Sequence, residues 1–211
     1  MITYDDAHGT EQHIKVDAVL LAAGRSANTK QIGLENTGVK LDQRGNVIVN
    51  EYLQTSVPHI YAMGDVKGGL QFTYISLDDY RIVKDHLFGN KQRTTGNRGH
   101  IAYSVFISPT FSRVGLSEQE AREQGYAVKT VSMPAAAIPR ANVISQPDGL
   151  LKAVIDTKTD QILGCVLFCA ESEEVINFVQ LAMNQQLTYQ EVGNHIFTHP
   201  TMSEALNDLF S

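Results

Sequence analysis

The segment GLLKAVIDTKTDQILGCVLF (residues 149–168) reads as two strands joined by a tight turn. Aliphatic and β-branched residues fill both apolar runs, and the polar residues 157–160 separate them. A connection this short joins antiparallel neighbours, because parallel strands need a crossover of about a dozen residues or more. The hairpin therefore predicts an antiparallel sheet in the second half of the chain.

The segments around the hairpin complete an α+β pattern. Ser117–Glu120 matches a capping box, in which a hydroxyl and a carboxylate satisfy the first backbone N–H groups of a helix. Thr188–Glu191 is predicted to open another short helix. Residues 171–186 and 200–210 predict two further helices. Other strands are predicted at residues 102–108, 112–117 and 127–134. The apolar side of the helix over 171–186 is predicted to consist of Val175, Phe178, Val179, Ala182 and Met183.

The first half of the chain is less regular. Residues 1–4 and 12–24 predict two strands joined by a turn, and the run VDAVLLAAG (16–24) lacks alternation, which is typical of a strand buried on both faces. A lone hairpin cannot bury such a strand, so we expect these residues to be the tail of a larger domain. Shorter strands are predicted at residues 47–49 and 59–65, after a turn over 42–46.

A helix is predicted over residues 72–88, followed by a polar linker at 89–99 that marks a domain boundary. Its apolar positions roughly keep helical spacing. They are Ile75, Leu77, Ile82, Val83 and Leu87.

The composition excludes several classes of function. The 211 residues are 43% hydrophobic and 19% charged, with a net charge of −6, which argues against non-specific nucleic-acid binding. No apolar run approaches the roughly 20 residues of a membrane span. The first residues are acidic and polar, unlike a signal peptide. With only two cysteines, the chain is expected in a reducing cytoplasm.

Those cysteines, Cys165 and Cys169, form a C-x3-C pair that raises a redox or metal interpretation. On a strand, positions four apart are separated by about 13 Å. A disulfide needs Cα atoms within about 7 Å. We therefore expect buried thiols on a strand, whereas a helix here would bring the two sulfurs close and favour the redox pair.

The stretch FTHPTMSEAL (residues 197–206) has two interpretations that the sequence leaves open. Thr201 and Glu204 match a capping box, with Thr201 as N-cap and Glu204 at N3 of the last helix. This does not explain His199 and Pro200. Glu204 is also placed to orient the His199 imidazole, and a His–Glu pair can act as a proton shuttle.

Three other features suggest ligand contacts, each with an ordinary structural alternative. Gly64 and Asp65 end a predicted strand, where α/β sheets bind ligands, and a carboxylate there suits sugar or ribityl hydroxyls. Gly24 and Arg25 follow the apolar run, as in any strand-to-loop junction. The helix that begins near Phe72–Thr73 offers free N–H groups to developing negative charge, or is simply a core helix.

A metal site is a weaker alternative. Its histidines would be His8, His13, His195 and His199. The last two have i, i+4 spacing, but Pro200 disfavours a continuous helix there, and we predict no metal.

Together, four ordered motifs resemble the class I pyridine nucleotide-disulfide oxidoreductases, the flavoprotein disulfide reductases. The motifs are Asp17 with AAGRSAN (residues 22–28), IYAMGDV (60–66), VGLSEQEA (114–121) and HPTMSE (199–204). The resemblance covers essentially the whole chain. It implies the end of an NAD(P)-binding domain at 1–25, a returning part of an FAD-binding domain at 26–95, and an interface domain at 96–211 that makes a homodimer.

The resemblance also implies roles for single residues. Asp65, after Gly64, would bind the ribityl chain of FAD, and the helix start at Phe72–Thr73 would point at the flavin ring. Gly24 and Arg25 would lie near the join of the NAD(P) and FAD domains. His199, fixed by Glu204, would act in trans on the redox cysteines of the other subunit. The family usually has a cis peptide between this His and Pro, so a cis His199–Pro200 bond is predicted.

The chain departs from the family pattern at its beginning. Neither a G-x-G-x-x-G fingerprint nor a C-x4-C pair occurs in it. We therefore expect it to be the carboxyl-terminal portion of a longer enzyme that uses FAD and NAD(P)H. Alone it is expected to bind neither cofactor and to be inactive, and a stand-alone dimerisation module is the alternative.

Two stretches are similar to the bacterial branch tied to reactive-chlorine and hypothiocyanous acid defence, which is related to mercuric reductases. They are QFTYISLDDYRIV (71–83) and FTHPTMSEALNDLF (197–210). His199 and the absence of a terminal Cys pair disfavour mercury(II) reduction, and Phe197 disfavours a lipoamide dehydrogenase. Neither the nicotinamide nor the oxidant is specified by these residues.

Overall fold

The computed structural model describes residues 1–211, which divide into two compact units, Met1–Thr95 and Gly96–Ser211. The α+β prediction is confirmed: antiparallel sheets alternate with short helices. The seven strands are β1 (Ile2–Asp5), β2 (Glu11–Ile14), β3 (Tyr103–Val105), β4 (Phe111–Gly115), β5 (Val128–Pro134), β6 (Leu150–Asp156) and β7 (Ile162–Phe168). The six α-helices are α1 (Thr73–Phe88), α2 (Glu118–Glu123), α3 (Pro139–Val143), α4 (Ser172–Asn184), α5 (Tyr189–Gly193) and α6 (Ala205–Leu209). No helix has both the length and the apolar character needed to cross a membrane.

The second unit is built on one five-stranded antiparallel sheet in the order β3-β4-β7-β6-β5. The β6–β7 hairpin is the one predicted over residues 149–168, with a register irregularity between Val154 and Ile155. Helix α4 packs on β4 and β7, and α6 packs on β5 and β6. A single apolar core joins the sheet to these helices, with Leu151, Leu167 and Leu206 fully buried.

The capping box predicted at Ser117 is confirmed, and the helix predicted to open at Thr188 has a capping box as well. Ser117 caps α2, and the Glu120 carboxylate accepts the Ser117 N–H at 2.6 Å. Thr188 caps α5, and the Glu191 carboxylate accepts the Thr188 N–H at 2.7 Å. These backbone hydrogen bonds are the main reason that the pKa values of both glutamates lie below their ordinary range.

Helix α4 confirms most of the predicted apolar face. Val175, Val179, Ala182 and Met183 are buried, but the prediction for Phe178 is wrong because its side chain is 50% exposed. Successive helical residues are rotated by about 100°, so Phe178 lies a quarter-turn or more from Val179, at the edge of the buried stripe.

The first unit differs more from the sequence expectations. Strands β1 and β2 form the predicted amino-terminal hairpin. The prediction of a buried strand over 16–24 is wrong: this segment has no strand pairing, and Leu20 and Leu21 are 90% and 88% exposed. A strand needs the backbone of a neighbour to pair with its N–H and C=O groups, and no segment of this chain pairs with it.

The prediction of regular strands at residues 47–49 and 59–65 is also wrong. Each is reduced to one isolated bridge, Leu41–Val47 and Gln54–Tyr61. The turn over 42–46 is confirmed, with the Asp42 carboxylate accepting the Asn46 N–H at 2.9 Å. Local turns form from nearby residues alone, whereas strands need distant partners.

Helix α1 spans 16 residues and confirms the predicted helix. Its buried positions, however, are Ile75, Asp79 and Ile82. Leu77 and Leu87, two of the apolar positions that roughly keep helical spacing, are 38% and 50% exposed. The buried stripe therefore follows i, i+4 and i+7, and it includes a carboxylate that apolar periodicity could not reveal.

Candidate functional site

The carboxyl-terminal segment brings His199 and Glu204 together. Glu204 Oε2 lies 2.9 Å from His199 Nδ1. The imidazole is 72% exposed and the Glu204 side chain only 13% exposed. The carboxylate can accept the Nδ1–H, which leaves Nε2 with a lone pair directed away from the pair. The site thus presents one proton acceptor, Nε2 of His199, to solvent on a ring that Glu204 holds in place.

The turn before α6 holds the His199–Glu204 pair in place. Thr201 Oγ1 accepts the Glu204 N–H at 3.3 Å and donates to the Thr198 carbonyl at 2.7 Å, and Glu204 Oε2 accepts the Thr201 N–H at 3.4 Å. The capping-box hydrogen bonds therefore exist, but the prediction of Thr201 as N-cap is wrong. Residues 201–204 form a turn and the helix begins at Ala205, with Glu204 itself as N-cap.

The structure also confirms the cis His199–Pro200 peptide bond. Helix α6 is short, but it is anchored because its apolar residues enter the core of the second unit. These are Ala205, Leu206 and Leu209, with Met202 and Phe210 on either side. This burial holds the Glu204 carboxylate in place, while His199 itself stays at the surface.

An aromatic group lies on the chain just before His199. The Phe197 ring contacts His195 edge-on, with centroids 4.8 Å apart, and Phe178 of α4 at 6.1 Å. Ile196 is 92% exposed and Leu181 of α4 is 60% exposed. We refer to Phe178, Leu181, Ile196 and Phe197 as the apolar face. Phe178, Leu181 and Ile196 are 50%, 60% and 92% exposed, as apolar residues are on a surface that another protein covers.

In the first unit, Gly64 and Asp65 begin a short 3₁₀ helix, Gly64–Lys67, rather than ending a strand. Asp65 Oδ2 lies 3.3 Å from Arg25 Nη1, and both side chains are more than half exposed. The structure thus brings two of the predicted site residues together as a surface ion pair. The Asp65 carboxylate remains open to further hydrogen-bond donors.

The predicted helix start is confirmed. Helix α1 begins at Thr73 with Phe72 as N-cap, and its first turn contains no acidic side chain. The first N–H groups of a helix have no acceptor within the helix. In the same unit, Gly24 and Gly69 have positive φ, and a Cβ at either would contact nothing within 4 Å.

Sequence reasoning missed the buried ion pair beneath this turn. Asp79 of α1 is fully buried, and its Oδ2 lies 3.3 Å from Lys67 Nζ and accepts the Gly64 N–H at 2.7 Å. The sequence did contain a signal for this ion pair, because Asp79 lies four residues after Ile75 and three before Ile82, on the buried side of α1. A charge at such a position requires a partner.

The cysteines are free and buried, which confirms the prediction of buried thiols. Cys165 lies in β7 and Cys169 directly follows it. Burial raises the pKa of Cys165 strongly; burial, with smaller contributions from Glu173 and Glu171, raises the pKa of Cys169 to about 12. Thiols in this state are poor nucleophiles. No three His, Cys, Asp or Glu side chains converge as a metal site would require.

Comparisons with known families agree with the fold and the motifs. Residues 101–210 match the pyridine nucleotide-disulphide oxidoreductase dimerisation domain, and residues 3–79 match the pyridine nucleotide-disulphide oxidoreductase domain. The chain belongs to the pyridine nucleotide-disulphide oxidoreductase family. The resemblance drawn from the four motifs is therefore confirmed.

Among curated relatives, the chain is 50% identical over 204 residues to the probable pyridine nucleotide-disulfide oxidoreductase RclA of Escherichia coli, covering 97% of this chain and 46% of RclA. It is 38% identical over 203 residues to a mercuric reductase of Staphylococcus aureus, covering 96% of this chain and 37% of that protein. The chain therefore spans less than half the length of these relatives.

A solved structure gives the same result. The HOCl-induced flavoprotein disulfide reductase RclA from Escherichia coli superposes with a TM-score of 0.91 at 49% identity, over 95% of this chain and 46% of that chain. The predicted relation to the reactive-chlorine branch of the family is confirmed by this match.

Proposed function

We propose that this chain is the carboxyl-terminal part of an FAD-dependent enzyme that uses NAD(P)H to reduce a disulfide or an oxidant. The observation that carries the proposal is the pairing of an exposed His199 imidazole with the nearly buried Glu204 carboxylate at 2.9 Å. In this proposal His199 acts across a homodimer, on the redox cysteine pair of the other subunit.

The chemistry of the pair follows from its hydrogen bond. With Nδ1–H held by Glu204, the neutral ring offers Nε2 to a thiol and removes its proton, and the thiolate is the nucleophile in thiol–disulfide exchange. The imidazolium that results is stabilised by the Glu204 carboxylate and returns its proton to the departing sulfur. Positioned acid–base groups of this kind contribute about 10²- to 10⁴-fold in rate.

The cofactor proposal concerns the first unit. FAD, when bound, supplies electron transfer between the nicotinamide and the cysteine pair. Asp65, next to Gly64, would accept hydrogen bonds from the ribityl hydroxyls, and the start of α1 at Phe72–Thr73 would face the flavin ring. Gly24 and Arg25 would lie where the NAD(P)- and FAD-binding domains join. The half-exposed Asp65 and the open space beside Gly24 support these roles.

We assign residues 1–25 to the end of an NAD(P)-binding domain, 26–95 to part of an FAD-binding domain, and 96–211 to the interface domain. The apolar face of the second unit supports a homodimer, because exposed aromatic and aliphatic side chains of this kind are enriched where subunits meet. Self-association would place His199 at the rim of the dimer interface, where it reaches the other subunit.

The physiological substrate is proposed to be an oxidant of the reactive-chlorine class or the disulfide it produces. Support comes from the 50% identity to RclA and from the solved relative, which is an HOCl-induced flavoprotein disulfide reductase. A mercuric reductase-like or dihydrolipoamide dehydrogenase activity is the alternative. His199 disfavours the first of these activities, and Phe197 disfavours the second.

One observation favours a second candidate, a stand-alone dimerisation module. The second unit has a complete apolar core of its own, whereas Leu20 and Leu21 of the first unit lie exposed. In that case the His199–Glu204 pair would have no redox partner.

The visible spectrum separates the two candidates. The purified 211-residue chain is expected to show no bound flavin and no reductase activity. A longer protein that ends in this sequence is expected to bind FAD and to lose disulfide or oxidant reduction when His199 is replaced by Gln. A longer protein that binds no flavin would overturn the proposed function.

A further inference from the structure

The strongest unused feature of the molecule is the buried charge pair under the Gly64–Asp65 turn. Asp79 is fully buried in the middle of α1, and the Lys67 side chain is only 10% exposed. One oxygen, Asp79 Oδ2, lies 3.3 Å from Lys67 Nζ and accepts the Gly64 N–H at 2.7 Å. It therefore connects both ends of the 3₁₀ helix Gly64–Lys67 to α1.

The packing around Gly64 leaves this turn little freedom. Gly64 has φ +70, and a Cβ there would lie 2.7 Å from the Ser76 hydroxyl oxygen of α1. The backbone is therefore pressed against the helix at the residue that precedes Asp65. Asp79 supplies the hydrogen-bond acceptor at the same point, so it fixes the direction in which the chain enters Asp65.

Stability alone gives a weak reason for such a pair. Burying two charges costs desolvation energy that their attraction only partly returns, and apolar side chains of similar volume often serve the fold as well or better. A buried carboxylate that accepts a backbone N–H does, however, hold that backbone segment in one geometry. Asp65 and the start of α1 are the two elements that this geometry relates.

We propose that Asp79 and Lys67 are positioning residues for the flavin site. Asp79 holds the Gly64 N–H so that the Asp65 carboxylate keeps a set distance from the N-terminus of α1, and Lys67 places its ammonium group beside the buried Asp79 side chain. This inference rests on the proposed function, since it takes the ribityl chain of FAD as the group that Asp65 binds.

Two double variants test the inference without leaving a buried unpaired charge. Lys67→Met with Asp79→Asn removes both charges but keeps an amide oxygen that can accept the Gly64 N–H. Lys67→Met with Asp79→Leu removes the acceptor as well. In the longer flavoprotein, the first should keep its FAD dissociation constant within about threefold, and the second should raise it about tenfold or more, as expected for one lost buried hydrogen bond.

The readouts separate positioning from simple loss of stability. FAD affinity is measured by flavin-fluorescence titration of the stripped protein, and melting of the flavin-free protein is followed by circular dichroism. Equal FAD dissociation constants for the two folded double variants would overturn the inference. If the unsubstituted longer protein bound no FAD, the proposed function would fail instead, which the same titration reveals.

A measurement on the unsubstituted chain covers the case in which a variant fails to fold. The Gly64 amide is expected to be among the slowly exchanging amides of the first unit, slower than that of the exposed Gly9 in the β1–β2 turn. Equally rapid hydrogen exchange at Gly64 and Gly9 would overturn the inference, because it would mean that Asp79 does not hold the turn.

Discussion

The Glu204 carboxylate lies 2.9 Å from Nδ1 of His199, yet the two side chains differ in exposure, 13% against 72%. The buried member is anchored through α6 in the apolar core, and the exposed member carries the nitrogen that is open to a substrate. In the proposed function, Glu204 orients the ring and His199 transfers the proton.

Replacing His199 by Gln in the longer flavoprotein is expected to lower the rate of disulfide or oxidant reduction about 10²- to 10⁴-fold, because the proton acceptor is lost. Reduction of the flavin by NAD(P)H should be unchanged, since it precedes the exchange step. Stopped-flow absorbance resolves the two half-reactions. Glu204→Gln should cause a smaller loss, because an amide oxygen can still accept the Nδ1–H.

His195→Gln is the matched control for that experiment. His195 is also exposed and lies four residues earlier, but its ring contacts Phe197 rather than a carboxylate. The His195→Gln variant should reduce the disulfide or oxidant at a rate within about twofold of the unsubstituted protein, the effect expected of a surface substitution. An equal loss in His195→Gln and His199→Gln would contradict the assignment.

A charge in the apolar face should weaken the dimer. Leu181→Asp places a carboxylate where a second copy is proposed to bury a 60% exposed leucine. We expect the dimer dissociation constant to rise about tenfold or more, because an unpaired buried charge is costly. Sedimentation velocity over a range of concentrations measures it, and circular dichroism checks that the monomer is folded.

Ile48→Asp is the control, since Ile48 is 48% exposed in the first unit and lies outside the apolar face. It should leave the association state unchanged. A Leu181→Asp protein that associates as strongly as the unsubstituted chain would exclude the apolar face as the dimer surface.

The two cysteines should be unreactive in the folded chain. Burial raises the pKa of both thiols, that of Cys169 to about 12, so thiolate is scarce at pH 8. Iodoacetamide at that pH should alkylate neither residue in buffer and both in concentrated urea, as counted by mass spectrometry. Rapid alkylation of the native chain would revive the redox interpretation of the C-x3-C pair.

The capping boxes should make the stability of the second unit fall in acid. Backbone and hydroxyl hydrogen bonds from Thr188 hold the pKa of Glu191 below its ordinary range. Because the folded pKa is the lower one, this stabilisation is complete above the unfolded pKa, about 4.3. It is lost as the pH falls through the folded pKa.

Glu191→Gln should therefore lower the free energy of unfolding, and this loss should be largest at neutral pH. The loss should shrink as the pH falls below about 4. Urea denaturation at several pH values measures it. Asp148→Asn, at an exposed carboxylate without a hydrogen bond, is the control and should show a smaller change with pH. A constant difference across the pH range would argue against the cap as its source.

Local signals explain where sequence reasoning succeeded. The β6–β7 hairpin, the capping boxes of Ser117 and Thr188, and helix α1 each follow from residues within a few positions of one another. Such patterns act through the backbone of the same segment, so they survive in any tertiary context. The motif order that identified the family is likewise a property of the sequence.

Sequence reasoning failed where the structure of a segment depends on partners that are distant along the chain. The run 16–24 has the composition of a buried strand but no neighbour to pair with, and it lies exposed. Phe178 has an apolar side chain, yet the position of the sheet decides which side of α4 is covered. No pattern within one segment contains that information.

By itself, the sequence determined the α+β class and the family, and it placed His199 and Glu204 five residues apart across a turn, where pairing was one of two open interpretations. Only the tertiary structure decided that this pair faces solvent, that Arg25 pairs with Asp65 across 40 residues, and that Lys67 and Asp79 are buried together. The physical reason is that burial and ion pairing depend on which distant surfaces meet, whereas caps and turns depend on neighbours along the chain.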